Sequence, residues 1–189
     1  MSEAGTVEGD DERLRLFLAL ELPEGISEQL GGWSAERLEG GRVPDSFHIT
    51  LAFLGTRSRS ELAGILEALR GAAASAIPFT LMQVRYRETR SVGMLVLEDP
   101  SGEATRLAED VQRRLEKLGV YRREARPWLP HVTVLRFRER PRLSPPLPEI
   151  EPFAPSGAAA FLSRLHRSGA RYEVLKRYVI GANALGERG

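Results

Sequence analysis

The sequence predicts an α+β fold built mainly from antiparallel strands, on three observations. Short apolar stretches bounded by Gly, Pro, Asp and Ser are interleaved with three longer segments of helical period. Pairs of strand-like segments stand a short polar turn apart, as hairpins do. Neither a dinucleotide-binding nor a Walker glycine loop is present, which weighs against a doubly wound parallel sheet. The 189 residues are enough for one ordinary domain, or one domain of two similar lobes, with a sizeable core.

In chain order, residues 13–22 (RLRLFLALEL) alternate briefly and then turn continuously apolar, the pattern of a strand covered on both faces; Pro23 ends it. Residues 24–38 place Ile26, Leu30, Trp33 and Leu38 on one helical face, weakened by Gly31 and Gly32. Turn chemistry at Pro44-Asp45-Ser46 precedes a second strand, 47–54, closed by Gly55. A helix over 58–76 carries Leu62, Ile65, Leu66 and Leu69, and Pro78 stops it. Strands follow at 79–87 and 92–97. Asp99-Pro100 opens a helix whose stripe is Ala104, Leu107, Ala108, Val111, Leu115 and Leu118, with Gly119 as its stop. Pro130 leads into a strand over 131–137. Six prolines within 141–155 predict an extended surface loop. Strands at 158–165 and 172–180 around a turn at Ser168-Gly169 finish the chain.

Composition narrows the chemistry. The absence of Cys excludes disulfides, thiolate nucleophiles, iron–sulfur clusters and cysteine-bound zinc. No apolar run reaches the roughly 20 residues of a membrane helix, and no basic start followed by an apolar stretch marks the N-terminus, so a cytoplasmic protein is expected. Residues 1–12 hold five carboxylates and no Lys or Arg and read as an acidic flexible tail; residues 13–189 form the domain. Without that tail, 27 basic side chains face 21 acidic ones, and all but Lys117 and Lys176 of the 27 are Arg. The excess suits an anionic ligand, and arginine's planar fork suits phosphate, although codon usage alone also accounts for many arginines.

One internal repeat carries chemistry: His48-Ile49-Thr50-Leu51 and His131-Val132-Thr133-Val134. On a strand, side chains two apart share a face, so each segment presents an imidazole beside a hydroxyl and turns its apolar residues into the core. The repeat uses two of the three histidines. Two imidazoles with ordinary pKa near 6.5 can act as one neutral base and one protonated acid, the pair that in-line displacement at phosphorus needs, while Thr50 and Thr133 hold the non-bridging oxygens. Zinc is the competing use, but it takes three or four protein ligands and no second His stands at helical spacing, so neither a metal nor a cofactor is expected. A Ser-His-Asp hydrolase lacks its G-x-S-x-G elbow. Phe47 and Trp128 flank the two motifs and are candidates for stacking on a nucleobase, with core packing as the competing reading.

In these residues the chain resembles the two-histidine (2H) phosphoesterases, specifically the bacterial and archaeal RNA 2′,3′-cyclic phosphodiesterases, also called 2′-5′ RNA ligases. Residues 15–23 (RLFLALELP), 47–55 (FHITLAFLG), 126–136 (RPWLPHVTVLR) and 163–175 (SRLHRSGARYEVL) carry the likeness. It implies a bilobal α+β fold with two pseudo-symmetric lobes of antiparallel sheet and helices around a central groove. It implies metal-independent hydrolysis of RNA 2′,3′-cyclic phosphate ends to 2′-phosphomonoesters, with 2′-5′ ligation as the reverse reaction. It also implies His48 and His131 as the acid–base pair, Thr50 and Thr133 as phosphate ligands, and Arg136 as an added guanidinium. By strict alternation Arg136 falls on the face opposite His131, so it reaches the groove only if the strand ends or bulges after Val134. Where relatives often carry Tyr-Glu before the closing-strand serine, this chain has Phe161-Leu162. RNA ends or cyclic nucleotides are the expected partners, and no membrane or obligate protein partner is implied. The alternatives are an RNA-end binding protein without turnover, or the same chemistry on 2′-5′ linked oligonucleotides or a cyclic-phosphate metabolite.

Overall fold

A computed structural model describes residues 12–166 and 169–183. Of the acidic segment expected at 1–12, Glu12 lies among these, ion-paired with Arg59; the rest, like Ser168 of the final turn, lies outside the described residues. The described elements, in order, are β1 (Arg13–Glu21), α1 (Glu24–Arg37), β2 (His48–Ser58), a 3₁₀ turn (Arg59–Glu61), α2 (Leu62–Ser75), β3 (Met82–Glu88), β4 (Val92–Glu98), α3 (Glu103–Lys117), β5 (His131–Arg136), β6 (Gly157–His166) and β7 (Gly169–Tyr178).

Two antiparallel sheets result, one in the order β2-β1-β6-β7 and one in the order β3-β4-β5. The motif strands β2 and β5 are both sheet edges, and they approach each other. Strand β1 is covered on both faces because its two residue sets serve different clusters. Leu14, Leu16, Leu18 and Leu20 join the main core, which runs on through Ile65, Leu69, Leu95, Leu107, Val111 and Val132 of both lobes. Phe17 and Ala19 join Ala159 and Phe161 in a small second cluster under the site. Each fully buried Leu adds on the order of 1.5–3 kcal/mol by leaving water, so β1 anchors both layers.

Several boundaries move for local reasons. Strand β2 runs past Gly55 to Ser58, since its β1 partners continue to Arg13. The 3₁₀ turn that follows is fixed by a capping box in which Glu61 accepts the Ser58 N–H (2.7 Å) and hydroxyl (3.0 Å). Helix α3 starts at Glu103 and not near Pro100, because Gly102 takes the left-handed conformation (φ +74°), and Asp99 reaches forward to accept from Thr105 N and Oγ1, both at 2.8 Å. Leu118 then falls beyond the helix end and is half exposed, outside the buried stripe.

The proline-rich connection between β5 and β6 is the extended, largely exposed segment its composition predicts, but it is tethered at several points. The buried Glu88 carboxylate accepts from Arg142 N (3.0 Å), Leu143 N (2.7 Å) and Arg140 Nε (3.0 Å). Gln83 donates to the Pro148 and Ile150 carbonyls, Trp33 Nε1 to Pro146, and Leu81 pairs with Phe153 through backbone bonds in both directions. Ile150 and Phe153 are buried. Prolines donate no N–H, so the segment lies extended while side chains from α1 and β3 catch its free carbonyls.

Candidate active site

Each motif strand carries a bulge one residue after its Thr. In β5, Thr133 pairs with Met94 and Leu135 with Gly93, which leaves Val134 without a partner. In β2, Thr50 pairs with Ala19 and Ala52 with Leu18, which leaves Leu51 without one. The extra residue resets the alternation, so that Val134 and Leu135 are both buried, as are Leu51 and Ala52. The fifth residue after each His therefore returns to the face of the His and Thr. That residue is Arg136 in β5 and Phe53 in β2, and both line the groove.

The β2 edge is held by side chains from elsewhere. Gln112 of α3 donates Nε2 to the carbonyl of the bulged Leu51 at 2.9 Å, inside the core. Trp128, just before β5, donates its indole N–H to the Thr50 carbonyl at 2.9 Å. Trp128 thus ties the approach to one motif onto the backbone of the other. Phe47 and Trp128 both pack partly buried against the main core.

The two imidazoles have different surroundings. His48 is boxed by Phe17 (ring centroids 4.9 Å), Phe161 (5.9 Å) and Tyr172 (5.5 Å, edge-on), and Phe17 stacks on Phe161 at 4.8 Å. Its Nδ1 is buried and has no hydrogen-bond partner among the described residues. Burial, then the positive charge of Arg136, then that of His131, pull its pKa down to about 4. The charges of Arg136 and His131 are thus felt at His48. His131 instead lies with Nδ1 2.8 Å from the Leu129 carbonyl. A carbonyl only accepts, so the proton of neutral His131 sits on Nδ1 and Nε2 offers a lone pair.

A groove of about 1140 Å³ opens beside the aromatic box of His48, lined by Arg15, Arg42, Arg136 and Arg171 with Ser163, Tyr172 and Phe53, and with Asp45 as its acidic member, while His48, Thr50, His131 and Thr133 lie outside its lining. Phe53 is 52% exposed, unusual for a Phe on a strand, and the Arg15 guanidinium lies 5.3 Å from its ring centroid. Among the described residues, no three or more His, Asp or Glu side chains gather as a metal-binding group. Sequence reading missed Phe53, Phe17, Phe161 and Tyr172. Phe53 was within reach, because extending the repeat to the fifth residue aligns it with Arg136. The aromatic box was not, since its members come from three strands.

Two antiparallel sheets whose edge strands carry matching His-x-Thr motifs and approach each other next to a cationic groove have the architecture of a two-histidine phosphoesterase. The family model described as the 2′-5′ RNA ligase superfamily matches residues 22–166, and the chain belongs to that superfamily. It is 31% identical over 175 residues to the RNA 2′,3′-cyclic phosphodiesterase of Escherichia coli (strain K12), covering 89% of this chain and 98% of that one. It is 32% identical over 143 residues to the protein of that name from Archaeoglobus fulgidus, covering 67% and 74%. Among solved structures, E. coli LigT complexed with 3′-AMP superposes with a TM-score of 0.77 at 26% identity, covering 89% of this chain and 99% of that one. A protein from Thermus thermophilus gives 0.75 at 27%, covering 89% and 98%. LigT has also been crystallised with phosphate, ATP and NADP+.

Proposed function

We propose that this protein hydrolyses RNA 2′,3′-cyclic phosphate ends to 2′-phosphomonoesters without a metal, using His131 as base and His48 as acid. What supports the reading is the pair of equivalent bulged edge strands, each carrying an imidazole and a threonine, beside a cationic groove that Arg136 lines. The named activity of its relatives supports the substrate class, and the LigT ligands all carry phosphate.

The cyclic phosphate lies between the imidazoles, its non-bridging oxygens held by the hydroxyls of Thr50 and Thr133 and by Arg136. His131 Nε2 takes a proton from water as the water oxygen bonds to phosphorus. The resulting imidazolium keeps its Nδ1–H on the Leu129 carbonyl. The bond from phosphorus to O3′ breaks, and His48 Nε2 gives its proton to that oxygen, leaving a 3′-hydroxyl and a 2′-phosphomonoester. An imidazolium in the aromatic box, with Nδ1 lacking an acceptor, is a ready donor. The bound phosphate anion offsets the Arg136 charge and lets His48 carry that proton. With an RNA 5′-hydroxyl in place of water, the same displacement forms a 2′-5′ linkage. Phe53, flanked by Arg15, supplies a flat face for the terminal base. Among the described residues no helix is long and apolar enough to cross a membrane, and we place the enzyme with its RNA in the cytoplasm.

The test uses a cyclic phosphorothiolate with sulfur at the 3′ position. A thiolate, whose conjugate acid has a pKa near 8.5, leaves without a proton. His48→Ala should regain most of the wild-type rate on that substrate, and His131→Ala should not. Rescue of His131→Ala instead would reverse the roles. Wild-type enzyme that leaves both substrates intact would remove the hydrolase reading.

A further inference from the structure

Two arginines that line the groove are neighbours in the backbone ladder. Arg42 and Arg136 are antiparallel partners, each backbone N–H donating to the other's carbonyl at 2.8 Å. Partners that exchange both bonds have α-carbons about 5.5 Å apart and side chains on one face. Like charges so placed destabilise a sheet. Arg42 also meets the Asp45 carboxylate at 3.1 Å, both side chains being well exposed, and such a pair in water contributes little. Two cationic side chains on one face of a strand pair that lines the groove favour an anionic ligand there.

Arg42 reaches beyond the sheet to which its backbone belongs. A Cβ on Gly169 would lie 2.5 Å from Arg42 Nη1, so the guanidinium lies against the first residue of β7, across the groove from β5. Gly169, at φ +123°, offers the room. Arg42 therefore spans the groove mouth beside Arg136, one backbone pair away from the place where the scissile phosphate is held.

We propose that Arg42 binds a second phosphate, the internucleotide phosphate next to the scissile one, so that the enzyme favours the end of an RNA chain over a free cyclic nucleotide. The inference rests on the hydrolase reading above. A cyclic mononucleotide carries one phosphate and leaves Arg42 unused; a chain places its next phosphodiester against it. Asp45 competes for the same guanidinium in the empty groove.

The experiment compares kcat/KM for a 2′,3′-cyclic mononucleotide and for a trinucleotide of the same base ending in the cyclic phosphate, at several salt concentrations. The wild type should favour the trinucleotide. Arg42→Gln should reduce that preference about tenfold, the effect of losing one charge-assisted contact. It should also make the trinucleotide's log–log salt slope shallower by about 0.7, the contribution of one phosphate on a single strand. Asp45→Asn should raise the preference, an opposite sign that a folding defect does not produce. An unchanged ratio and slope in Arg42→Gln overturns the inference while leaving the hydrolase reading intact. If the wild type turns over neither substrate, the hydrolase reading fails. The same salt series read as trinucleotide binding by fluorescence anisotropy then decides Arg42, an equal slope in wild type and Arg42→Gln again overturning it.

Discussion

His48 and His131 occupy equivalent places on two bulged edge strands, yet one imidazole lies boxed by three aromatic rings and the other leans on a backbone carbonyl. Five residues further on, the first strand offers Phe53 and the second Arg136. The shared part is backbone: a strand, a Thr and one unpaired residue. What differs is the company each strand keeps. Strand β2 borders β1, with β6 and β7 beyond supplying aromatics, whereas β5 borders β4 and is approached by Arg42. A repeated motif therefore sets where two groups point, and their neighbours divide the work between them.

The largest expected effect removes either half. His48→Ala and His131→Ala should each lower kcat by at least about 10²-fold on a cyclic nucleotide, the usual loss for a positioned acid or base. Next comes the fifth position. Arg136→Ala should lower kcat/KM by about 10- to 100-fold, because in the proposed mechanism its charge meets the phosphate. Phe53→Ala should mainly raise KM, by about tenfold, through lost stacking. Equal effects on kcat from both would erase the distinction between a charge-holding and a base-holding half.

Titration sharpens the comparison. For kcat/KM the acid limb should stand near pH 4, where free His48 protonates, whichever imidazole is the acid, because the limbs belong to the pair. Stability should carry the same signature. Unfolded, His48 binds a proton near pH 6.5; folded, only near about 4. Between those values the unfolded chain holds more protons, so stability is lost as pH falls from 6.5 to 4, by about 3 kcal/mol in all. His48→Phe, which suits an aromatic box, should abolish activity and escape that loss. Urea unfolding at pH 7 and pH 4.5 should then show a variant whose advantage over wild type grows on acidification. A constant difference would mean that the ring is not desolvated. The smallest effect is expected from Trp128→Phe, which frees the Thr50 carbonyl and should cost about 1 kcal/mol, read by the same unfolding.

Much of the molecule was legible because local pattern and tertiary need agree. The apolar continuity of 16–20 announced a strand covered twice, and the His-x-Thr repeat announced two equivalent strands, which the fold brings into contact. Arg136 shows the limit: alternation put it outside, and only the bulge at Val134, invisible in residue types, turns it in. The segment 141–155 shows another, since proline content says extended but not tethered, and the tether is a buried Glu88 that reads as one more strand carboxylate. Phe161 likewise looked like the loss of a polar contact, and its role emerges only from its stack on Phe17 beside His48.

The unpaired residue after each Thr has one further consequence. Because the kink is made from main chain, the side chain it swings inward contributes little to holding the fold, as the 52% exposure of Phe53 illustrates. Each lobe thus owns one socket whose occupant can be exchanged, guanidinium for ring or ring for hydroxyl, while the two imidazoles stay where they are. A scaffold with two such interchangeable sockets can diversify what it grips without rebuilding how it cuts.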